Sequence, residues 1–205
     1  MTEEEKIKYS TAFTAGALLL RETEAYISAI SRMKDFYDGI ENVDHNIIPV
    51  NAESSKKRLK HEIEKRVQAI NNERLLNMFL TSDKNGKNLI LFYGICKHYP
   101  IIKHFMLEVV LKKWQNLDYE LEVADFTNFL YRKMDFHPEI QKITEKSIYK
   151  CGQVALKMLT DLGMLRKNKI QKTSISNIIL RECLNAGDLW FLDVLLLSEI
   201  EKQEI

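Results

Sequence analysis

The chain has 205 residues, 45% of them hydrophobic, and its 30 basic and 29 acidic side chains leave a formal net charge of +1. Such a length buries one substantial core or two small ones, and seven glycines and three prolines are too few for a turn-rich β architecture. The acidic start MTEEEKIKYS has no apolar signal region, no stretch reaches the roughly 18 apolar residues of a spanning helix, and Cys96, Cys151 and Cys183 fit no zinc or CxxC spacing, so the expectation is a cytoplasmic chain with buried thiols and no membrane contact.

Residues 9–31 read as a helix behind a Ser/Thr-rich turn, with Phe13 under the entry and Leu19, Leu20, Ala25, Ile27 and Ile30 toward the core. A shorter helix is expected from Met33 to His45, with Phe36, Ile40 and Val43 inward. Pro49 stops it and makes Ile48 extended. The stretch ESSKKRLKHEIEKRVQAI, residues 53–70, then places Leu59, Ile63, Val67 and Ile70 on one stripe. Lys57, His61, Lys65 and Gln68 fall opposite, and the segment from Lys56 to Arg66 has a net charge of +4, with Glu62 and Glu64 read as surface charges. Ser54 or Ser55 is the expected N-cap, and a helix end followed at once by three basic residues suits a phosphate. Short helix, connection and longer polar-faced helix give the outline of a helix-turn-helix unit.

Asn71, Asn72 and Glu73 cap a further helix through Leu80, and TSDKNGKN at 81–88 reads as a loop. From Leu89 to Trp114 the apolar density marks the central core, divided by Pro100. Leu121 to Met134 is a helix with Val123, Phe126, Phe129 and Leu130 inward, ended by DFHPE. Thr144 starts a second basic helix, on which Lys146, Lys150, Gln153 and Lys157 line up at i, i+4, i+7 and i+11, and Gly163 stops it. MLRKNKIQK, residues 164–172, is a basic turn that could close into a small hairpin like a wing. Two last helices, 174–184 and 187–200, meet at Asn185–Ala186–Gly187.

The near-zero net charge conceals alternating blocks. Residues 51–115 carry +7 and residues 142–172 carry +6, whereas 1–50, 116–141 and 173–205 each carry −4. Two gathered basic blocks imply a polyanion met by particular faces. No Gly-rich phosphate loop, GxSxG or HExxH motif is present, and His98, His104 and His137 lack HxxxH spacing; neither an enzyme, a metal site nor a cofactor is expected.

In this order, YSTAFTAGALLLRET, ESSKKRLKHEI, ICKHYPIIKHFMLEVV, FLYRKMDFHPEI and QVALKMLTDLGML resemble the BrxA family of bacteriophage exclusion (BREX) defence systems, over residues 9 to 165. The resemblance implies a compact all-α protein with helix-turn-helix units that binds double-stranded DNA, without catalysis, beside other proteins of its locus. The resulting expectation is an all-α globular body of two helix-turn-helix-like units, residues 1–80 and 81–205, acting as a monomer. Lys56, Lys57, Arg58, Lys60, His61 and Lys65 of the first unit and Lys146, Lys150, Gln153 and Lys157 of the second would meet DNA, mostly at phosphates. The alternative is an assembly protein that docks other defence components through Tyr93, Tyr99, Tyr131 and Trp190.

Overall fold

The computed structural model describes residues 7–33, 39–40 and 42–205. Leu20–Ile30 forms α1, Glu53–Ile70 α2, Glu73–Thr81 α3 and Lys84–His98 α4. Pro100–Phe105 (α5) runs through a π-bulge at Met106–Val110 into Leu111–Gln115 (α6). Val123–Met134 is α7 and Glu145–Asp161 is α8. An antiparallel hairpin follows, β1 Leu165–Arg166 and β2 Lys169–Ile170, with Leu165 opposite Ile170 and Arg166 opposite Lys169. Asn177–Asn185 (α9), Trp190–Val194 (α10) and Glu199–Gln203 (α11) complete the chain. The all-α expectation holds, with this small sheet added.

Helix α4 is the axis of the core: every residue from Asn88 to Cys96 is buried. Helix α2 lies along it, burying Leu59, Ile63, Val67 and Ile70 as the stripe requires. The approach is close because Gly94 faces α2; a Cβ there would come within 2.7 Å of Ile70 Cγ1 and 2.9 Å of the Arg66 carbonyl oxygen. A second close approach joins α7 to α8, where a Cβ on Gly152 would meet Val123 Cγ1 at 2.8 Å. The buried side chains, from Tyr9 to Leu196, form one cluster. All three cysteines are buried and free.

Several local signals act as read. Asn72 caps α3 through the Leu75 N–H, Thr144 caps α8 through the Ser147 N–H, and Pro100 opens α5 where its missing N–H costs nothing. Gly163 sits at φ +80 past the end of α8. Other expectations need correction. Helix α2 begins at Glu53 with Ala52 at its N-cap, and neither Ser54 nor Ser55 caps it. The expected loop 81–88 is mostly helix: Asp83 accepts the Gly86 N–H at 2.8 Å and starts α4 one residue later. Residues 9–31 split into a 3-10 turn at Ala12–Ala15 and α1, separated by Leu19 at φ 55. The last expected helix breaks at Leu196, φ 60, giving α10 and α11. Residues 34–38 and 41 of the expected helix from Met33 to His45, Phe36 included, lie outside the described residues; within the rest Ile40 and Val43 are buried.

The C-terminal turn is tied to the chain after the hairpin by Lys172, whose ammonium lies 2.6 Å from Glu201 Oε1. That ammonium, with the Ser198 hydroxyl and N–H, draws the Glu201 carboxyl down to about 2 from 4.5. Because the folded value is depressed, this contribution is complete above the ordinary carboxylate range and is lost as pH falls from about 4.5 toward 2. An NMR titration of Glu201, followed also at the Ser198 amide, should show a midpoint near 2. A midpoint at the ordinary 4.5 would show that Lys172 does not hold it.

Candidate nucleic-acid interface

The two basic helices differ in what their cations already face. On α2, Lys56 lies 3.8 Å and Lys57 3.9 Å from Glu53, which also takes the His45 ring, and Lys60 is paired with Glu64. The His45 hydrogen bond, with Lys56 and Lys57, holds Glu53 below its usual range. The phosphate-friendly helix end expected here is thus already answered by a carboxylate. Lys57, Arg58 and His61 are exposed, Lys56, Lys60 and Lys65 half-buried.

Arg66, counted in the net positive charge of this helix, is only 3% exposed. Its Nε donates to Glu62 Oε1 at 2.7 Å, and Glu62 accepts the Tyr99 hydroxyl at 2.6 Å. The other guanidinium nitrogens donate to the carbonyls of Ala17 at 2.6 Å, Gly16 at 2.9 Å and Phe13 at 3.4 Å. Burial and the Glu62 bond keep the Tyr99 hydroxyl protonated far above its usual range. Glu62 is therefore a core residue, not a surface charge, and Arg66 serves the protein's own backbone.

Helix α8 is different. Lys146, Lys150, Gln153 and Lys157 are all exposed along one stripe, as their spacing requires, with Lys157 alone answered, by Asp161. Among the described residues no carboxylate lies within ion-pair reach of Lys142, Lys146, Lys150, Arg166, Lys167 or Lys169. The hairpin stands directly after this helix. Lys167 and Asn168 occupy left-handed positions, φ 48 and 59, the geometry of a two-residue type I′ turn. Gln171 reaches the Gly163 carbonyl at 2.9 Å and Thr173 the Leu162 carbonyl at 2.8 Å, fixing the hairpin base to the end of α8. A third extended segment joins on the far side: Ile170 N–H donates to Tyr119 O at 2.7 Å and Leu121 N–H to Asn168 O at 2.8 Å. The order is therefore helix α6, edge strand, α7, α8, hairpin.

Sequence reasoning included Arg166, Lys167 and Lys169 in a basic block but not among the site residues. It also passed over Tyr149, 55% exposed on α8 between Lys146 and Gln153. The available signal was Asn168, of a residue type that enters the left-handed region more readily than other non-glycine residues.

The N-terminal turn at Ala12–Ala15 packs against both α2 and α8. Phe13 is fully buried, edge-on to Tyr99 at 5.7 Å and to Phe126 at 6.2 Å. Upstream, Tyr9 stacks on His137 at 3.9 Å, and its N–H donates to Glu139 Oε1 at 2.7 Å. Burial tends to raise the Glu139 carboxyl, but this N–H and His137 outweigh it and hold it low. Tyr9 also meets His104 through its hydroxyl at 2.5 Å. Two of the histidines considered for metal thus serve this anchor.

Of the four aromatic docking anchors, Tyr93 and Tyr99 are buried and cannot be met by a partner. Tyr93 donates to Asp188, Trp190 stacks over it at 6.2 Å and is only partly exposed, and Tyr131 is 45% exposed. Among the described residues no helix is long and apolar enough to cross a membrane.

Fold and surface together define a helical protein in which a cationic helix leads directly into a short β-hairpin. The BrxA family model matches residues 7–187, and the chain belongs to that family. It is 24% identical over 195 residues to the "BREX protein BrxA" of Bacillus cereus (strain H3081.97), covering 93% of this chain and 97% of that protein. A second "BREX protein BrxA", of Escherichia coli O9:H4 (strain HS), is 24% identical over 121 residues, 59% of this chain and 56% of that one. The fold matches the crystal structure of an uncharacterized protein from Magnetospirillum magneticum with a TM-score of 0.77, at 14% identity, over 93% of this chain and all of that one.

Proposed function

We propose that the chain is a double-stranded DNA-binding component of a bacteriophage exclusion (BREX) defence system, acting by binding and not by catalysis. The defence role rests on family membership and on relatives described as BREX proteins. The observation that carries DNA binding is the gathering on α8 and the adjacent hairpin of cations that have no carboxylate partner among the described residues, while most of the other described lysines sit in ion pairs. Edge strand, two helices and a β-hairpin in this order are the parts of a winged helix-turn-helix. In that reading α8 enters the major groove, Lys146 and Lys150 meet phosphates, and Gln153 reaches base edges. Arg166, Lys167 and Lys169 on the hairpin meet the flanking backbone. The exposed cations of α2, Lys57, Arg58 and His61 above all, form a secondary surface.

Binding to a duplex should weaken steeply with salt, since each phosphate neutralised contributes about 0.9 to the slope of log K against log salt. Replacing Lys167 and Lys169 with glutamine should flatten that slope by about two units while leaving the fold intact. Duplex binding that ignores salt would remove the proposal.

A further inference from the structure

A cleft of about 400 Å³ lies between the N-terminal turn and the first half of α8, lined by Thr11 and Thr14 on one wall and by Lys146, Tyr149, Lys150 and Gln153 on the other. Cys151 lies at it too, nearly fully buried. That volume is in the range of a small-molecule site, larger than a single ion needs. We infer that this cleft seats one sugar–phosphate unit of the DNA backbone, so that the N-terminal turn is a second jaw gripping the strand beside α8. This rests on the DNA-binding reading above.

The chemistry of the walls fits that ligand. Lys146 and Lys150 are unpaired among the described residues and supply the positive charge. Thr14 Oγ1 gives its proton to the Thr11 carbonyl at 2.8 Å and only lines the wall, whereas the Thr11 hydroxyl has no hydrogen-bond partner within the described protein and is free to donate. Hydroxyls of this kind are common donors to phosphate oxygens. Threonine methyls, the Tyr149 ring and the lysine stems offer apolar surface to a sugar.

The jaw is also rigid. Arg66 holds the carbonyls of Phe13, Gly16 and Ala17, Phe13 is inserted among Tyr99 and Phe126, and Tyr9 is stacked on His137. A wall pinned at both ends presents the Thr11 hydroxyl with little ordering cost on binding. Such a wall is more than a surface loop needs.

The test separates neutral from charged contacts. Fluorescence anisotropy with a labelled duplex, at several salt concentrations, would compare Thr11→Val, Thr11→Ser, Thr14→Trp and Lys146→Gln. Thr11→Val should lose about five- to tenfold in affinity with an unchanged salt slope, because a neutral hydroxyl releases no counterion. Thr11→Ser should bind as the parent. Thr14→Trp, which fills the cleft but leaves every lysine in place, should lose more, with helical circular dichroism retained. Lys146→Gln should flatten the slope by about one unit. A duplex with single methylphosphonate replacements should show one backbone position whose penalty vanishes in Thr11→Val. If Thr11→Val and Thr14→Trp bind within twofold of the parent while Lys146→Gln weakens, DNA lies on α8 outside the cleft and this inference is overturned. If Lys146→Gln is also without effect, the placement of DNA on α8, on which this inference rests, itself fails.

Discussion

Reversing Lys146 and Lys150 together to glutamate should reduce duplex affinity by on the order of 100-fold or more at moderate salt, leaving the circular dichroism spectrum and melting temperature nearly unchanged. The size follows from replacing two attractions by two repulsions against phosphates, each phosphate contact also contributing counterion release. The stability claim follows from position: both side chains are exposed and neither is in an ion pair among the described residues, so nothing within the protein is lost. The same reversal at Lys57 and Arg58 should cost less, because Lys57 already faces Glu53 and that end of α2 carries carboxylate charge of its own. Equal losses at both pairs would show that the two helices grip one duplex. Losses only at Lys57 and Arg58 would move the site to α2 and contradict the assignment made here.

Replacing Arg66 with methionine should destabilise the protein by about 3–5 kcal/mol, the cost of leaving one member of a buried ion pair alone. For a chain of this size that corresponds to roughly 10–15 °C in melting temperature. Glu62 would keep only the Tyr99 hydroxyl as partner, the Gly16 and Ala17 carbonyls would lose the guanidinium, and the Phe13 carbonyl would keep only the Gly16 N–H. Replacing Glu62 by leucine in the same chain should restore part of the loss, since the isolated carboxylate is removed, but not all of it, since the carbonyls remain unanswered. A thermal melt of both variants decides the matter. A single variant melting within about 2 °C of the parent would mean that Arg66 is solvated and not held in the core.

Much of the architecture follows from periodicity. The apolar stripe of α2, the interruption at Pro100, the cap at Thr144 and the stop at Gly163 all act through local geometry that a sequence displays directly. What was not legible depends on neighbours distant in the chain. Ser82, Asn85, Gly86 and Asn88 compose a loop by residue type, yet Gly86 lies in α4 and is there for close packing, since a Cβ would stand 2.9 Å from Ser82 Cβ and 3.1 Å from Ile179 Cδ1. Arg66 looked like one more surface cation because a charge count does not say which way a side chain points; the i, i+4 spacing to Glu62 was the available clue. The α8 stripe was read correctly as exposed. The hairpin beside it was only one option, since its short strands carry too few residues for alternation to show, and the part played by Thr11 and Thr14 required knowing that residues 9–17 return to the far half of the chain.

That return has a consequence for the order in which the molecule assembles. Tyr9 is bonded to Glu139, 130 positions away, and the turn after it leans on α8. Long-separation contacts of this kind are slow to form, and here they also wait on translation. The turn at residues 12–15 therefore has only its α2 side to dock on until residues beyond 145 have emerged. Its attachment is a late step, and a chain truncated before α8 would retain the α2–α4 pairing while leaving its amino-terminal turn without half of its seat.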